Sequence, residues 1–138
     1  LHTARMKDLA RSGQYDNVAF HRVIDGFMAQ TGDVQYGDME DGFNLRMAGT
    51  GSSDLPDLKA EFSKLPHDRG SLGAARSQNP DSANSQFFIN FSDNSFLNGQ
   101  YTVYGRVISG MEHVDTIQLG EPAENPDRMI SVKVAADA

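Results

Sequence analysis

The stretch FHRVIDGFMAQTGD at residues 20–33 decides the fold class. Together with Val18 and Ala19, its first half is rich in β-branched and aromatic residues, Asp25-Gly26 supplies a tight turn, and Phe27-Met28-Ala29-Gln30 runs on as a second strand. One residue in this hairpin is out of place. Arg22 cannot lose its charge at ordinary pH, yet it stands among Phe20, Val23 and Ile24, so something must satisfy it. Two readings are open: an arginine on the outward side of a one-sided strand, or a fixed donor held beside an apolar pocket.

Outward from the hairpin, Met6, Leu9 and Ala10 recur at helical spacing between Thr3 and Gly13, and Gly13 sits where a left-handed cap belongs. Residues 32–57 carry glycines 32, 37, 42, 49 and 51 among many Asp and Ser, the composition of a long ordered loop. Short strands are expected over 69–75, 85–91 and 101–108, separated by turn formers such as Asn79-Pro80-Asp81 and Asn98-Gly99. Met111, Val114, Ile117 and Leu119 trace one face of a second short helix, and residues 130–134 alternate as a final half-buried strand. The pattern is mainly β, many short strands with two isolated helices, and predicts a closed barrel capped by those helices. No repeat, low-complexity tract or linker divides it, so residues 1–138 are read as one domain.

Composition narrows the chemistry. The chain has 138 residues, with 19 acidic and 12 basic side chains for a formal charge of −7, and no cysteine. A domain of this size buries roughly two-thirds of its unfolded surface without a staple. Zero cysteine removes disulfides, thiol nucleophiles and Cys-ligated metal. The acidic balance argues against nucleic acid as a partner, and apolar runs of only a few residues, such as Gln86-Phe87-Phe88-Ile89, are too short to form a membrane-spanning helix. His2, His21, His67 and His113 include no pair at ligand spacing, so no metal is expected, and His21 reads as a hydrogen-bonded core histidine. There is no GxSxG elbow, and Gly49-Thr50-Gly51-Ser52 lacks the lysine of a phosphate loop. Asn90-Phe91-Ser92 matches a glycosylation acceptor but falls in an expected strand. Gln30 and Gln86 each interrupt an apolar run; a buried amide costs about 1–3 kcal/mol if unbonded, so they either bond internally or grip a peptide backbone beside an apolar pocket.

FHRVIDGFMAQTGD at 20–33 and SANSQFFINF at 82–91 resemble the two central motifs of the cyclophilins, and the likeness extends through ARMKDLARSGQYDN at 4–17 and YTVYGRVISGMEHVD at 101–115. The Ala-Arg-Ser segment at 75–77 and Phe96 are similar to bacterial members. The resemblance implies an eight-stranded antiparallel barrel closed by two helices, and peptidyl-prolyl cis/trans isomerase activity. Carried over by position, it makes Arg22 the catalytic arginine, and Phe27, Met28, Phe88 and Leu97 the wall of a proline pocket. Gln30 and Gln86 become polar anchors, Ala75, Arg76 and Ser77 the segment whose backbone grips the peptide, and Gly49 a loop glycine near the outer subsites. At the rim Phe96 replaces the tryptophan, and Tyr101 the histidine, of many eukaryotic relatives. Members usually carry a strand pair before the first helix, whereas this chain opens almost at that helix, so N-terminal strands are expected upstream of Leu1, and without them an eight-stranded barrel is not expected to close. No cofactor is implied. The expected partners are proline-containing peptides and flexible protein segments, with weak cyclosporin binding, a monomeric state and a cytoplasmic location, the periplasm being the alternative. A proline-peptide binding module or chaperone with little catalysis is the competing function, and a carrier with an empty barrel a more distant one.

Overall fold

The computed structural model describes residues 1–137. Helix α1 spans His2–Arg11, and the strands are β1 Val18–Ala19, β2 Arg22–Ile24, β3 Met28–Thr31, β4 Ser71–Ala74, β5 Phe87–Asn90, β6 Val103–Arg106 and β7 Arg128–Met129. Helix α2, Met111–Val114, lies between β6 and β7, and single 3₁₀ turns sit at Ser95–Leu97 and Ala135–Asp137. Five strands form an antiparallel sheet in the order β2-β3-β5-β4-β6, and β1 pairs with β7 in a separate two-stranded ribbon. The architecture is mainly β with few helices.

The expected eight-stranded closed barrel is corrected: seven strands in two sheets are present among the described residues, and the sheets do not close. Closure requires an unbroken ladder around the axis. Here the larger sheet ends at β6 on one side and at β2 on the other, where only the Val23–Gly120 bridge continues. Two local causes are visible. The run 18–24 is two strands rather than one, because the Phe20 N–H donates to the Asp127 carbonyl at 2.8 Å and the chain steps from one sheet to the other. The expected strand over 130–134 does not form; Val132 N–H donates instead to the Asp16 carboxylate at 2.8 Å. Helix α2 is also shorter than expected, although Met111, Val114 and Ile117 all pack on the core and Leu119 is half-exposed.

Strand alternation separates two faces of the sheet. Val23, Ala29 and Ile89 turn inward with Phe20 against α2, and Phe87 turns inward against Leu9 and Ala10 of α1 and against Tyr15. The alternate residues Arg22, Gln30, Phe88 and Gly73 are cross-strand partners in one row on the other face. Gly73 is required there, because a Cβ would lie 2.2 Å from the Phe88 ring. Next to that row Met28 and Phe88 pack with Leu97, and with the partly buried Phe27, Ala75 and Tyr101. Asn90 is wholly buried and bonded to Ser71, which removes it as a glycosylation acceptor in the folded protein.

Candidate functional site

A cleft of about 660 Å³ opens over this outer face. Its floor is Met28, Phe88 and Leu97, with Phe27, Ala75 and Tyr101 around them. The Phe88 ring is held from behind, stacked on His67 at 5.8 Å and edge-on to Tyr101 at 5.9 Å. Arg76 closes one side, its guanidinium 4.3 Å above the Tyr101 ring and donating to the Gln100 carbonyl at 2.6 Å. Such a bed suits a small apolar ring.

Arg22 stands at the edge of this bed. Its Nε donates to Glu121 Oε1 at 2.7 Å and its Nη1 to Gln30 Oε1 at 3.2 Å. Gln30 Nε2 in turn donates to Gln86 Oε1 at 3.0 Å, and Gln86 Nε2 to the carbonyls of Gly49 and Gly51 at 3.0 and 2.9 Å. The loop carrying those carbonyls is fixed by Asp33, which is wholly buried and takes four backbone N–H groups. Gln35 and Tyr36 donate to its Oδ1 at 3.0 and 2.9 Å, Gly49 and Gly51 to its Oδ2 at 2.7 and 2.9 Å. The amides of the two glutamines bond to each other and to the loop, the internal bonding that is one of the two readings open for them. Both readings of Arg22 hold at once, since it points outward from the sheet and borders an apolar cleft.

The cleft gathers ten of the residues singled out in the sequence: Arg22, Phe27, Met28, Gln30, Gly49, Ala75, Arg76, Phe88, Leu97 and Tyr101. Ser77 and Gln86 lie instead on an adjoining groove, which shares Gln30, Gly49, Ala75 and Arg76 with the cleft. Phe96 is outside the lining, 63% exposed, with its ring 5.7 Å from Phe27. Sequence reasoning missed the loop residues Leu45, Arg46, Ala48 and Thr50, and also Glu121 and Pro122, which enter from beyond α2. Only the charge of Arg22 could have signalled Glu121, by requiring a partner. His21 is a correction. It is buried as expected, but neither ring nitrogen has a hydrogen-bond partner among the described residues. No cluster of three or more candidate metal ligands is found among the described residues.

Residues 1–136 match the model of the cyclophilin-type peptidyl-prolyl cis-trans isomerases. The chain belongs to the cyclophilin family. A probable peptidyl-prolyl cis-trans isomerase of Brucella abortus is 60% identical over 141 residues, covering 99% of this chain and 72% of that protein. The crystal structure of the cyclophilin AquaCyp293 from Hirschia baltica superposes with a TM-score of 0.83 at 24% identity, over 99% of this chain and 66% of the other. A Cryptosporidium parvum cyclophilin-type isomerase, crystallised in the presence of the dipeptide Ala-Pro, gives 0.80 at 26% identity, over 96% of this chain and 84% of the other. The function of this cyclophilin is accordingly peptidyl-prolyl cis–trans isomerisation.

Two histidines make the stability of this cyclophilin depend on pH. Burial pushes His21 below its ordinary 6.5, with Arg22 adding to the effect and Asp33 opposing it. Burial also lowers His67, against the pull of the Tyr101 carbonyl and Asp68. In the unfolded chain both bind a proton near 6.5, whereas the folded protein resists it, so stability falls as pH drops below that value. Glu61, held at about 2 by His2 and the N-terminal amine, adds its loss only below its ordinary 4.5. The denaturation midpoint in urea should therefore be lower at pH 5 than at pH 7, and the drop should shrink in His21→Gln. An equal drop in parent and variant would remove His21 from the account.

Proposed function

We propose that Arg22 is the catalytic residue of this cyclophilin and that it acts on X–Pro peptide bonds by stabilising the twisted amide. Rotation is slow because amide resonance must be surrendered, a barrier of about 18–20 kcal/mol. In the twisted state the prolyl nitrogen becomes pyramidal and recovers a lone pair, which a guanidinium N–H can bond. The planar ground state has no such acceptor, so the interaction favours the transition state and raises the rate. The observation that carries this reading is the fixed guanidinium of Arg22 at the edge of an apolar bed, with Nε and Nη1 engaged and Nη2 free of hydrogen-bond partners among the described residues. Met28, Phe88 and Leu97 would hold the proline ring while the backbone at Ala75–Ser77 holds the flanking peptide, so that the remaining end rotates. Proline-containing peptides and flexible protein segments are the proposed substrates; the Ala-Pro dipeptide of the Cryptosporidium crystals supports that class. We further propose a monomer working in the cytoplasm, with the periplasm as the alternative.

Removing one donor aimed at the charge developing in a transition state costs on the order of a hundredfold. Arg22→Ala should lose activity on that scale in an isomerase assay on an X–Pro peptide and still bind the peptide. Arg22→Lys should also be poor, because a flexible ammonium does not reproduce the planar fork. A folded Arg22→Ala at the parental rate would contradict the assignment, and a parent that binds proline peptides without accelerating rotation would favour the binding-module reading.

Phe96 bears on inhibition. Its ring presents an apolar face at the rim with no donor, whereas an indole at that place adds one N–H. Cyclosporin should bind weakly, and Phe96→Trp should tighten inhibition on the order of tenfold with little change in turnover, the scale of one rim hydrogen bond. Equal inhibition of both proteins would show that this residue does not set sensitivity.

A further inference from the structure

The segment Gly120–Ala123 is bound to the outer edge of β2 directly beside Arg22. Val23 and Gly120 exchange both backbone hydrogen bonds at 2.9 Å, and Ala123 N–H donates to the His21 carbonyl at 3.3 Å. Ala123 is wholly buried, and Gly120 lies so close beneath it that a Cβ would come within 2.6 Å of the Ala123 Cα. The backbone carrying Glu121 is therefore fixed on the strand that carries Arg22, although the two side chains are partly exposed, 39% for Arg22 and 55% for Glu121. Glu121 takes the Nε–H of Arg22 from one side, and Gln30 takes an Nη1 hydrogen from the other. A guanidinium is planar, so acceptors at two separate nitrogens constrain both the position and the tilt of that plane.

From this geometry we infer that Glu121 is a positioning residue for the isomerase reaction: its carboxylate orients the Arg22 guanidinium so that Nη2 faces the apolar cleft. The inference rests on the reading of Arg22 as the catalytic group. Glu121 lines the cleft beside Arg22 but is not among the side chains that form the proline bed, and in this scheme it acts through Arg22. With the clamp removed, the arginine keeps its charge and its Gln30 contact but samples other rotamers, so the bound peptide meets a correctly placed donor for a smaller fraction of the time. Peptide affinity, set by the apolar bed and the Ala75–Ser77 backbone, should be nearly untouched.

The test measures the cis–trans exchange rate of an enzyme-bound X–Pro peptide by NMR, together with its Kd, for the parent, Glu121→Ala, Glu121→Gln, Arg22→Ala and the Arg22→Ala/Glu121→Ala double variant. An exposed ion pair couples weakly but misplacement of a reacting group is costly, so Glu121→Ala should slow bound exchange about three- to tenfold with Kd changed less than about twofold. Glu121→Gln, whose amide oxygen still accepts from Nε, should recover most of the rate, and the double variant should be no slower than Arg22→Ala. Glu121→Met, matched in length, replaces Glu121→Ala if that variant proves unfolded by circular dichroism. If Arg22→Ala is slow and Glu121→Ala exchanges at the parental rate or faster, Glu121 does not position the arginine. A double variant slower than Arg22→Ala would likewise overturn action through Arg22. If Arg22→Ala itself exchanges at the parental rate, the reading of Arg22 fails first, and with it the inference.

Discussion

The buried carboxylate of Asp33 is the constraint on which the site depends. It is wholly shielded from solvent and takes four backbone N–H groups, two from its own turn and two from the far end of the long loop, at Gly49 and Gly51. Four hydrogen bonds to one side chain fix a loop whose composition supplies little core. Gly51 has to be glycine at such a distance, because a Cβ would strike the Asp33 oxygen at 2.2 Å. The loop carbonyls so placed hold Gln86, Gln86 holds Gln30, and Gln30 holds Arg22. An arginine side chain free in water would lose up to about 2 kcal/mol of rotamer entropy on being fixed by substrate. Here the Glu121 and Gln30 contacts reduce that loss.

The sheet beneath carries apolar residues on both faces. Its inner face packs Phe87 and Ile89 against the helices; its outer face sets Phe88 between them in sequence but on the opposite side. Phe88 stacks on His67 and occupies space left open by the absence of a side chain at Gly73. The result is a bed of three buried side chains, Met28, Phe88 and Leu97, bordered by an arginine held by Glu121 and Gln30. In the proposed mechanism affinity and rate accordingly rest on different groups, which is what differential stabilisation of a twisted amide requires.

Much of this was legible in the sequence. The hairpin around Asp25-Gly26 was readable because its residues are strongly β-forming and its turn needs a glycine at φ +70°. The oddity of Arg22 and the two glutamines was readable because polar groups in apolar strands demand partners. Their mutual bonding was not, since it depends on Arg22, Gln30 and Phe88 falling opposite one another across three strands, a matter of register. Glu121 was invisible for the same reason, lying 99 residues from Arg22 in the chain. The barrel was over-read. Residues 130–134 alternate correctly for a strand, but alternation reports a half-buried face and not the presence of a neighbouring ladder, and Asp16 captures the Val132 N–H instead.

The central claim is that the line of hydrogen bonds from the Asp33 loop to Arg22 sets the rate without setting affinity. Gln30→Leu tests it most directly, because leucine keeps much of the volume and removes the link between Arg22 and Gln86. The measurement is the exchange rate of an enzyme-bound X–Pro peptide at saturation, read alongside its Kd. The account predicts exchange slowed about tenfold or more at nearly constant Kd. A folded Gln30→Leu that binds and exchanges the peptide as the parent does would contradict it.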